Sequence, residues 1–147
     1  QAVAFGQLHV AGDGAFGIAV TELTAIGREE WPAITQVVFR NYQWGAEKRN
    51  STLWYDDNFV GTELDTQVSY AGIAKACGLQ GVVARTMEEL TAALRKAIDD
   101  QMNHGKTTLI EALINQELGE PFRRDAMKKP VEVAGISKAD MRPQVVG

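Results

Sequence analysis

Hydrophobic residues alternate between two kinds of spacing along the chain, and the alternation predicts strands separated by helices. The run Leu8–Ala11 is strand-like, and apolar residues then recur at helical spacing from Phe16 to Ile26. The β-branched and aromatic run Ile34–Phe39 (ITQVVF) predicts a buried strand. The first third of the chain therefore predicts a strand, a helix and a second strand.

The second half of the chain repeats this alternation. Gly78 predicts the end of one helix, and Thr86 with Glu89 forms a capping-box pattern that begins the next. The predicted elements are a helix with Tyr70, Ile73, Ala74 and Cys77 on one face, a strand at Gly81–Arg85, a helix with apolar positions from Met87 to Met102, and a strand at Thr107–Ile114.

Strands that alternate with helices imply an α/β fold, with a parallel sheet flanked by helices and joined by right-handed crossovers. We expect residues 1–115 to form this domain. The polar, mixed stretch 41–67 predicts a long, partly ordered loop, and such loops are often functional. Residues 116–147 are polar and contain three prolines, which predicts an extended tail that packs on its own domain or on a partner subunit.

Composition narrows the function classes. The chain has 147 residues, 45% of them hydrophobic, and a net charge of −4, so it has no general attraction to nucleic acid or to an anionic membrane. Cys77 is the one cysteine, which excludes an internal disulfide and favours a cytoplasmic location. The chain begins without Met in a strand-like run, so we expect a fragment of a longer protein.

Candidate chemistry lies where two predicted strands end. Gly12-Asp13-Gly14 follows the first strand and Asn41 the second, and ligands of parallel sheets bind beyond the carboxyl ends of the strands. A glycine-rich turn offers N–H groups to a phosphate. A carboxylate about 4 Å away would repel that phosphate by roughly 4 kcal/mol at a dielectric of 20. Because a divalent cation removes the repulsion, the residues predict a metal-diphosphate site.

Other interpretations of the same residues stay open at this level. Gly12–Gly17 also fits the G-x-G-x-x-G dinucleotide fingerprint, and Arg40 would then meet the 2′-phosphate of NADP. A plain tight turn into a helix is a further possibility, as is a regulatory or assembly domain that has lost its ligand. Gly105-Lys106-Thr107-Thr108 superficially matches a P-loop, but it precedes a strand, and we expect an ordinary turn.

The stretch from Asp13 to Asn41 resembles the thiamin-diphosphate motif, which begins with GDG and ends in a pair of asparagines. Asn41 stands 28 residues after Asp13, and Arg40 replaces the first asparagine of the pair. Further segments resemble the sulfoacetaldehyde acetyltransferases, a family of thiamin-diphosphate-dependent enzymes. These segments are FRNYQWGAEK at 39–48, NFV at 58–60 and QELGEPFRRDA at 116–126.

The resemblance implies that the chain is the carboxyl-terminal, diphosphate-binding domain of a longer enzyme. It implies that Mg²⁺ is bound by Asp13, Asn41 and the backbone carbonyl of Gln43. Gly14 and Ala15 would then contact the diphosphate of thiamin diphosphate through their backbone, and Trp44 and Gly45 would continue the wall of the cofactor site.

The family's reaction converts sulfoacetaldehyde and phosphate into acetyl phosphate and sulfite. By the same resemblance, the glutamate that activates the cofactor comes from a separate domain, usually of a neighbouring subunit, so we expect a homo-oligomer. The expected partners are these small molecules and the remaining domains of the enzyme, and the chain alone should have no turnover. Another thiamin-diphosphate enzyme, of the acetolactate synthase type, is the alternative within the superfamily.

Overall fold

The computed structural model describes residues 6–28 and 30–117. The predicted tail, apart from its first two residues, lies outside these ranges. The elements in chain order are β1 (Leu8–Gly12), α1 (Asp13–Ile18), α2 (Leu23–Ile26), β2 (Thr35–Arg40), α3 (Gly45–Trp54), α4 (Tyr70–Ala76), β3 (Gln80–Ala84), α5 (Met87–His104) and β4 (Thr108–Leu113).

The four strands form one parallel sheet in the order β1-β2-β4-β3. This confirms the predicted fold class. Gly12 is in register with Phe39, and Arg40 is in register with Leu113. The carboxyl ends of β1, β2 and β4 therefore lie side by side at one edge of the sheet, where the sequence placed its candidate chemistry.

Helices cover both faces of the sheet. Alternate residues of a strand face opposite sides, so Val38 and Leu109 enter one apolar cluster while Val37 and Ile110 enter another. The first cluster also contains residues of α2 and α4, namely Leu23, Tyr70, Ala71 and Ala74. The second contains Ala97 of α5, with Leu90, Ala93 and Leu94 packed against it. Cys77, which the sequence placed on the same helix face as Tyr70 and Ala74, is partly buried and packs against the first cluster.

Two sequence predictions need correction. The helix expected from Phe16 to Ile26 is interrupted, since α1 and α2 are separated by a 3₁₀ turn at Val20–Glu22. β-Branched Val20 and Thr21 lie at the break and have low helix propensity. The loop predicted for 41–67 is wrong over Gly45–Trp54, which form α3. The pattern missed α3 because its sequence, GAEKRNSTLW, is helix-forming but has no apolar stripe.

The helix boundaries follow local chemistry. The hydroxyl of Thr86 accepts the N–H of Glu89, and the Glu89 carboxylate accepts the N–H of Arg85, one residue before the cap. Gly105 ends α5 in the left-handed conformation, with φ of 62°. The segment that superficially matched a P-loop is therefore the turn between α5 and β4, as predicted.

The described residues divide into two compact units. The first runs to Trp44 and resumes at Glu63 through Gln116, and it contains the whole sheet. The second contains Gly45–Thr62, and within it the Lys48 ammonium lies 5.2 Å from the centre of the Phe59 ring. Within the described residues, no helix combines the length and apolar character that crossing a bilayer demands.

Candidate metal and diphosphate site

Asp13 stands at the junction of β1 and α1, and its side chain is 2% exposed. Its Oδ1 accepts the N–H of Gly14 at 3.0 Å, and its Oδ2 accepts the N–H of Tyr42 at 2.7 Å. The second bond crosses from the end of β1 to the segment that follows β2. The structure therefore brings Asp13 and the 41–43 segment together, as the sequence predicted.

The segment after β2 makes a tight reversal. Tyr42 has a φ of 61°, and the side-chain Oδ1 of Asn41 accepts the N–H of Gln43 at 3.3 Å. Gln43 is buried, pairs with Glu63 in an isolated antiparallel bridge, and donates its Nε2 to the carbonyl of Gln116 at 2.8 Å. This reversal fixes the backbone of the residues predicted to bind the metal.

Trp44 packs directly on Gly14. A Cβ atom built on Gly14 would lie 3.0 Å from Cε3 of the indole, so a side chain at this position would displace the ring. Ala15, the other residue predicted to contact the diphosphate, is exposed. Gly45 begins α3 in the second unit, and its predicted place in the cofactor wall stays a prediction.

A cavity of about 350 Å³ opens beside Asp13. Its walls come from α1, from the ends of β2 and α4, and from the segment that precedes α4. The lining residues include Asp13, Gly14, Gly17, Arg40, Trp44, Leu64, Asp65, Val68 and Tyr70. Residues 64–67 belong to the stretch 41–67 that the sequence predicted to be a loop of a kind that is often functional, but the pattern singled out none of them as site residues.

Arg40 is buried, which corrects the role that the NADP interpretation gave it. Its side chain is 1% exposed, and its Nε lies 3.0 Å from Oε1 of Glu111, an ion pair with poor hydrogen-bond alignment. Its Nη2 donates to the carbonyls of Asp65 and Val68, each at 2.7 Å. A guanidinium held in this way is not available to a 2′-phosphate, so the geometry counts against NADP.

Glu111 and Tyr70 are the site residues that sequence reasoning missed. Oε2 of Glu111 accepts the Ser69 hydroxyl at 2.8 Å and the Ala71 N–H at 3.0 Å. The hydroxyl of Tyr70 donates to the main-chain carbonyl of Asp13 at 3.1 Å. A signal for Glu111 was present in the sequence, because one acid interrupts the apolar strand TTLIEALI.

Burial raises the pKa of Tyr70, and the neighbouring Arg40 guanidinium opposes the rise. Its ring also meets Phe16 edge-on, with the ring centres 5.1 Å apart. Tyr70 therefore stays a neutral hydrogen-bond donor beneath Asp13 at ordinary pH.

Among the described residues, acidic side chains outnumber basic ones at the site. Asp13 and Glu111 are both buried acids, and the Arg40 guanidinium forms its ion pair with Glu111. Within the described ranges, no cationic group forms an ion pair with Asp13, and Arg40 forms its ion pair with Glu111 instead. An isolated buried carboxylate is costly. A hard divalent cation prefers carboxylate and carbonyl oxygens, so the residues present fit Mg²⁺.

Comparison with known proteins identifies the family of this chain. Residues 6–112 match the family model described as thiamine pyrophosphate enzyme, C-terminal TPP binding domain. The chain is 88% identical over 91% of its length to a sulfoacetaldehyde acetyltransferase of Rhodobacter capsulatus. It is 83% identical over 92% of its length to the protein of that name from Roseovarius nubinhibens. A third, from Castellaniella defragrans, is 51% identical over 84% of the chain.

The chain spans about a fifth of the length of these relatives, 22% for the first two and 20% for the third. Among solved structures, benzoylformate decarboxylase from Polynucleobacter necessarius has the same fold. That comparison has a TM-score of 0.65 at 22% identity, over 80% of this chain and 21% of the decarboxylase.

Proposed function

Since this chain belongs to the family of C-terminal thiamine pyrophosphate-binding domains of thiamine pyrophosphate enzymes, we propose that it is the diphosphate-binding domain of a sulfoacetaldehyde acetyltransferase. The complete enzyme would convert sulfoacetaldehyde and phosphate into acetyl phosphate and sulfite. Relatives with that name and up to 88% identity support this choice over an enzyme of the acetolactate synthase type.

The environment of the Asp13 carboxylate is the main support for this proposal. Its carboxylate is buried, is held by two backbone N–H groups, and has no cation at ion-pair distance among the described residues. In the proposed site, Mg²⁺ would be held by Asp13, the Asn41 amide oxygen and the Gln43 carbonyl. Gly14 and Ala15 would hold the diphosphate through their backbone, and Trp44 and Gly45 would complete the residues that bind the cofactor.

The chain's own residues bind and orient the cofactor. Thiamin diphosphate, when bound, supplies the nucleophilic carbon that the aldehyde needs in order to become an acyl donor. Trp44 packs over Gly14 and forms one side of the proposed site. The group that activates the cofactor belongs, in this proposal, to another domain, so the isolated chain should form no acetyl phosphate. We propose a cytoplasmic enzyme, because this chain has one cysteine and cannot form an internal disulfide. We also propose a homo-oligomer, because the activating group is expected from a neighbouring subunit.

Calorimetry on the enzyme that contains this chain tests the cofactor site. Wild type should bind thiamin diphosphate only when Mg²⁺ is present, and Asp13→Ala should abolish that binding. Asp99→Ala removes an exposed acid from α5, near the opposite end of the sheet, and should bind like wild type. Equal affinity for Asp13→Ala and wild type would count decisively against the site.

A second measurement tests the substrate. The enzyme should release acetyl phosphate and sulfite from sulfoacetaldehyde and phosphate, and it should not form acetolactate from pyruvate. Fluorescence titration with NADPH should show no saturable binding. Acetolactate formation without sulfite release would show that the enzyme is of the acetolactate synthase type. The proposed metal-diphosphate site would be unaffected by that result.

A further inference from the structure

Arg40 contacts several of the residues that surround the cavity beside Asp13. It donates to two carbonyls of the segment 65–68 and faces Glu111, and its Cζ lies over the rings of Tyr42 and Tyr70, 4.4 Å and 4.6 Å from their centres. We propose that Arg40 is a positioning residue that sets the geometry of the Asp13 site for cofactor binding. This inference rests on the proposed function.

Both tyrosines that stack on Arg40 also hold Asp13. The N–H of Tyr42 binds the Asp13 side chain at 2.7 Å, and the hydroxyl of Tyr70 binds its main-chain carbonyl at 3.1 Å. The guanidinium carbon lies over both rings. Removing it takes a contact from each tyrosine, and a shift of either residue would reach Asp13 through the hydrogen bond that this residue makes.

Arg40 also anchors one wall of the cavity. The segment 64–68 is attached at its start, where the Leu64 N–H donates to the Tyr42 carbonyl at 2.8 Å. It is attached at its end, where the Ser69 hydroxyl donates to Glu111. Between these two points, the described hydrogen bonds that tie the segment to the sheet are the pair from Arg40 Nη2 to Asp65 and Val68.

Arginine suits this position for a physical reason. Its planar fork places donors toward three acceptors at once while the flat guanidinium packs on aromatic rings, and it keeps its charge at any ordinary pH. Lysine offers a single point charge without flat faces. Glu111 balances the buried charge, so the pair is a neutral unit beneath the Asp13 carboxylate.

The test separates positioning from simple charge balance. In the enzyme that contains this chain, Arg40→Met leaves Glu111 buried without its partner, which destabilises the fold. The double variant Arg40→Met with Glu111→Gln removes both charges, so it should fold while the carbonyls of Asp65 and Val68 remain unbound. Arg40→Lys keeps the charge and loses the fork and the stacking.

Gln101→Met is the matched control. Gln101 is a buried clamp at the opposite end of the sheet, where its Nε2 donates to the carbonyls of Gln7 and Ala33. The Gln101→Met variant should have a lower melting temperature and an unchanged affinity for the cofactor. For each variant, the melting temperature, the cofactor Kd at saturating Mg²⁺, and kcat at saturating cofactor are measured.

We expect Arg40→Lys and the double variant to bind thiamin diphosphate about 10- to 100-fold more weakly, as is typical when outer-shell partners are lost. Their kcat at saturating cofactor should be retained. Recovery of wild-type affinity in the double variant would overturn the inference, because Arg40 would then only balance Glu111. A loss of affinity in Gln101→Met that matches its loss of stability would overturn it as well. If wild type itself binds no cofactor, the proposed function fails first, and this inference falls with it.

Discussion

The Oδ2 atom of Asp13 accepts the backbone N–H of Tyr42 at 2.7 Å, and this bond joins the carboxyl ends of β1 and β2. The donor belongs to the main chain, so the position of the carboxylate depends on the backbone path after β2. The left-handed φ of Tyr42, 61°, is part of that path. The backbone therefore holds the acid in place, so the proposed binding of a cation would need little further ordering of this side chain.

Asp13→Asn should separate metal binding from folding. The amide keeps one acceptor oxygen for Tyr42 and removes a buried charge, but it loses the second acceptor that serves Gly14. Because these effects oppose each other, we expect the free energy of unfolding of the cofactor-free protein to change by no more than about 1 kcal/mol. The affinity for thiamin diphosphate with Mg²⁺ should fall by about 100-fold or more, beyond the range typical of outer-shell partners.

Urea unfolding and calorimetry measure the two quantities. Asp99→Asn makes the same change at an exposed acid and should leave both near their wild-type values. Retained Mg²⁺-dependent affinity in Asp13→Asn would show that the carboxylate charge is not what the cation needs.

Gly14→Ala should disturb the site through Trp44. The new Cβ would lie 3.0 Å from the indole, so the ring must move, and we expect a loss of about 1–3 kcal/mol in the free energy of unfolding together with weaker cofactor binding. Gly12→Ala is the matched control, since a Cβ at Gly12 meets nothing within 4 Å and its φ is −77°.

Adding Trp44→Leu to Gly14→Ala should recover part of the lost stability, because the smaller side chain leaves room for the methyl group. Chemical denaturation of the two single variants and the double variant measures the coupling. Strictly additive losses would show that the contact between residues 14 and 44 is not the cause.

The sequence predicted the parallel sheet and the placement of Asp13 with Asn41 because both depend on local patterns. Strands and helices have distinct apolar periods, and the carboxyl ends of parallel strands always share an edge. The ion pair of Arg40 with Glu111 has no such local signal, since it depends on β2 lying beside β4 and not beside β3. For the same reason, the sequence left open a role for Arg40 in binding the 2′-phosphate of NADP, which its buried position excludes.

Gly81→Ala should be among the most destabilising single-methyl changes in the sheet. A Cβ at Gly81 would lie 2.0 Å from the carbonyl oxygen of Ala71, and a backbone atom cannot move aside as a side chain does. We expect a loss of about 3 kcal/mol or more in the free energy of unfolding. Gly72→Ala lies one residue from that contact, meets only ordinary contacts at 3.5 Å or more, and should stabilise α4 by about 0.5–1 kcal/mol. Denaturant midpoints compare the two variants, and equal stability would refute the close approach of α4 and β3.

Tyr70→Phe should change how stability depends on pH. Burial raises the pKa of Tyr70 above its ordinary value of 10.0. Above pH 10 the unfolded chain releases this proton while the folded chain retains it, so stability falls as pH rises toward the folded pKa. At pH 7 the variant should be less stable by about 1 kcal/mol, because the hydrogen bond to the Asp13 carbonyl is lost. Phenylalanine has no proton to release, so the difference in free energy of unfolding between wild type and variant should narrow steadily from pH 10 upward. Denaturant unfolding across pH 7–11 measures this difference. If this difference stays constant across the pH range, Tyr70 has the same pKa in the folded and unfolded states. Its hydroxyl would then not be buried next to the Asp13 carbonyl.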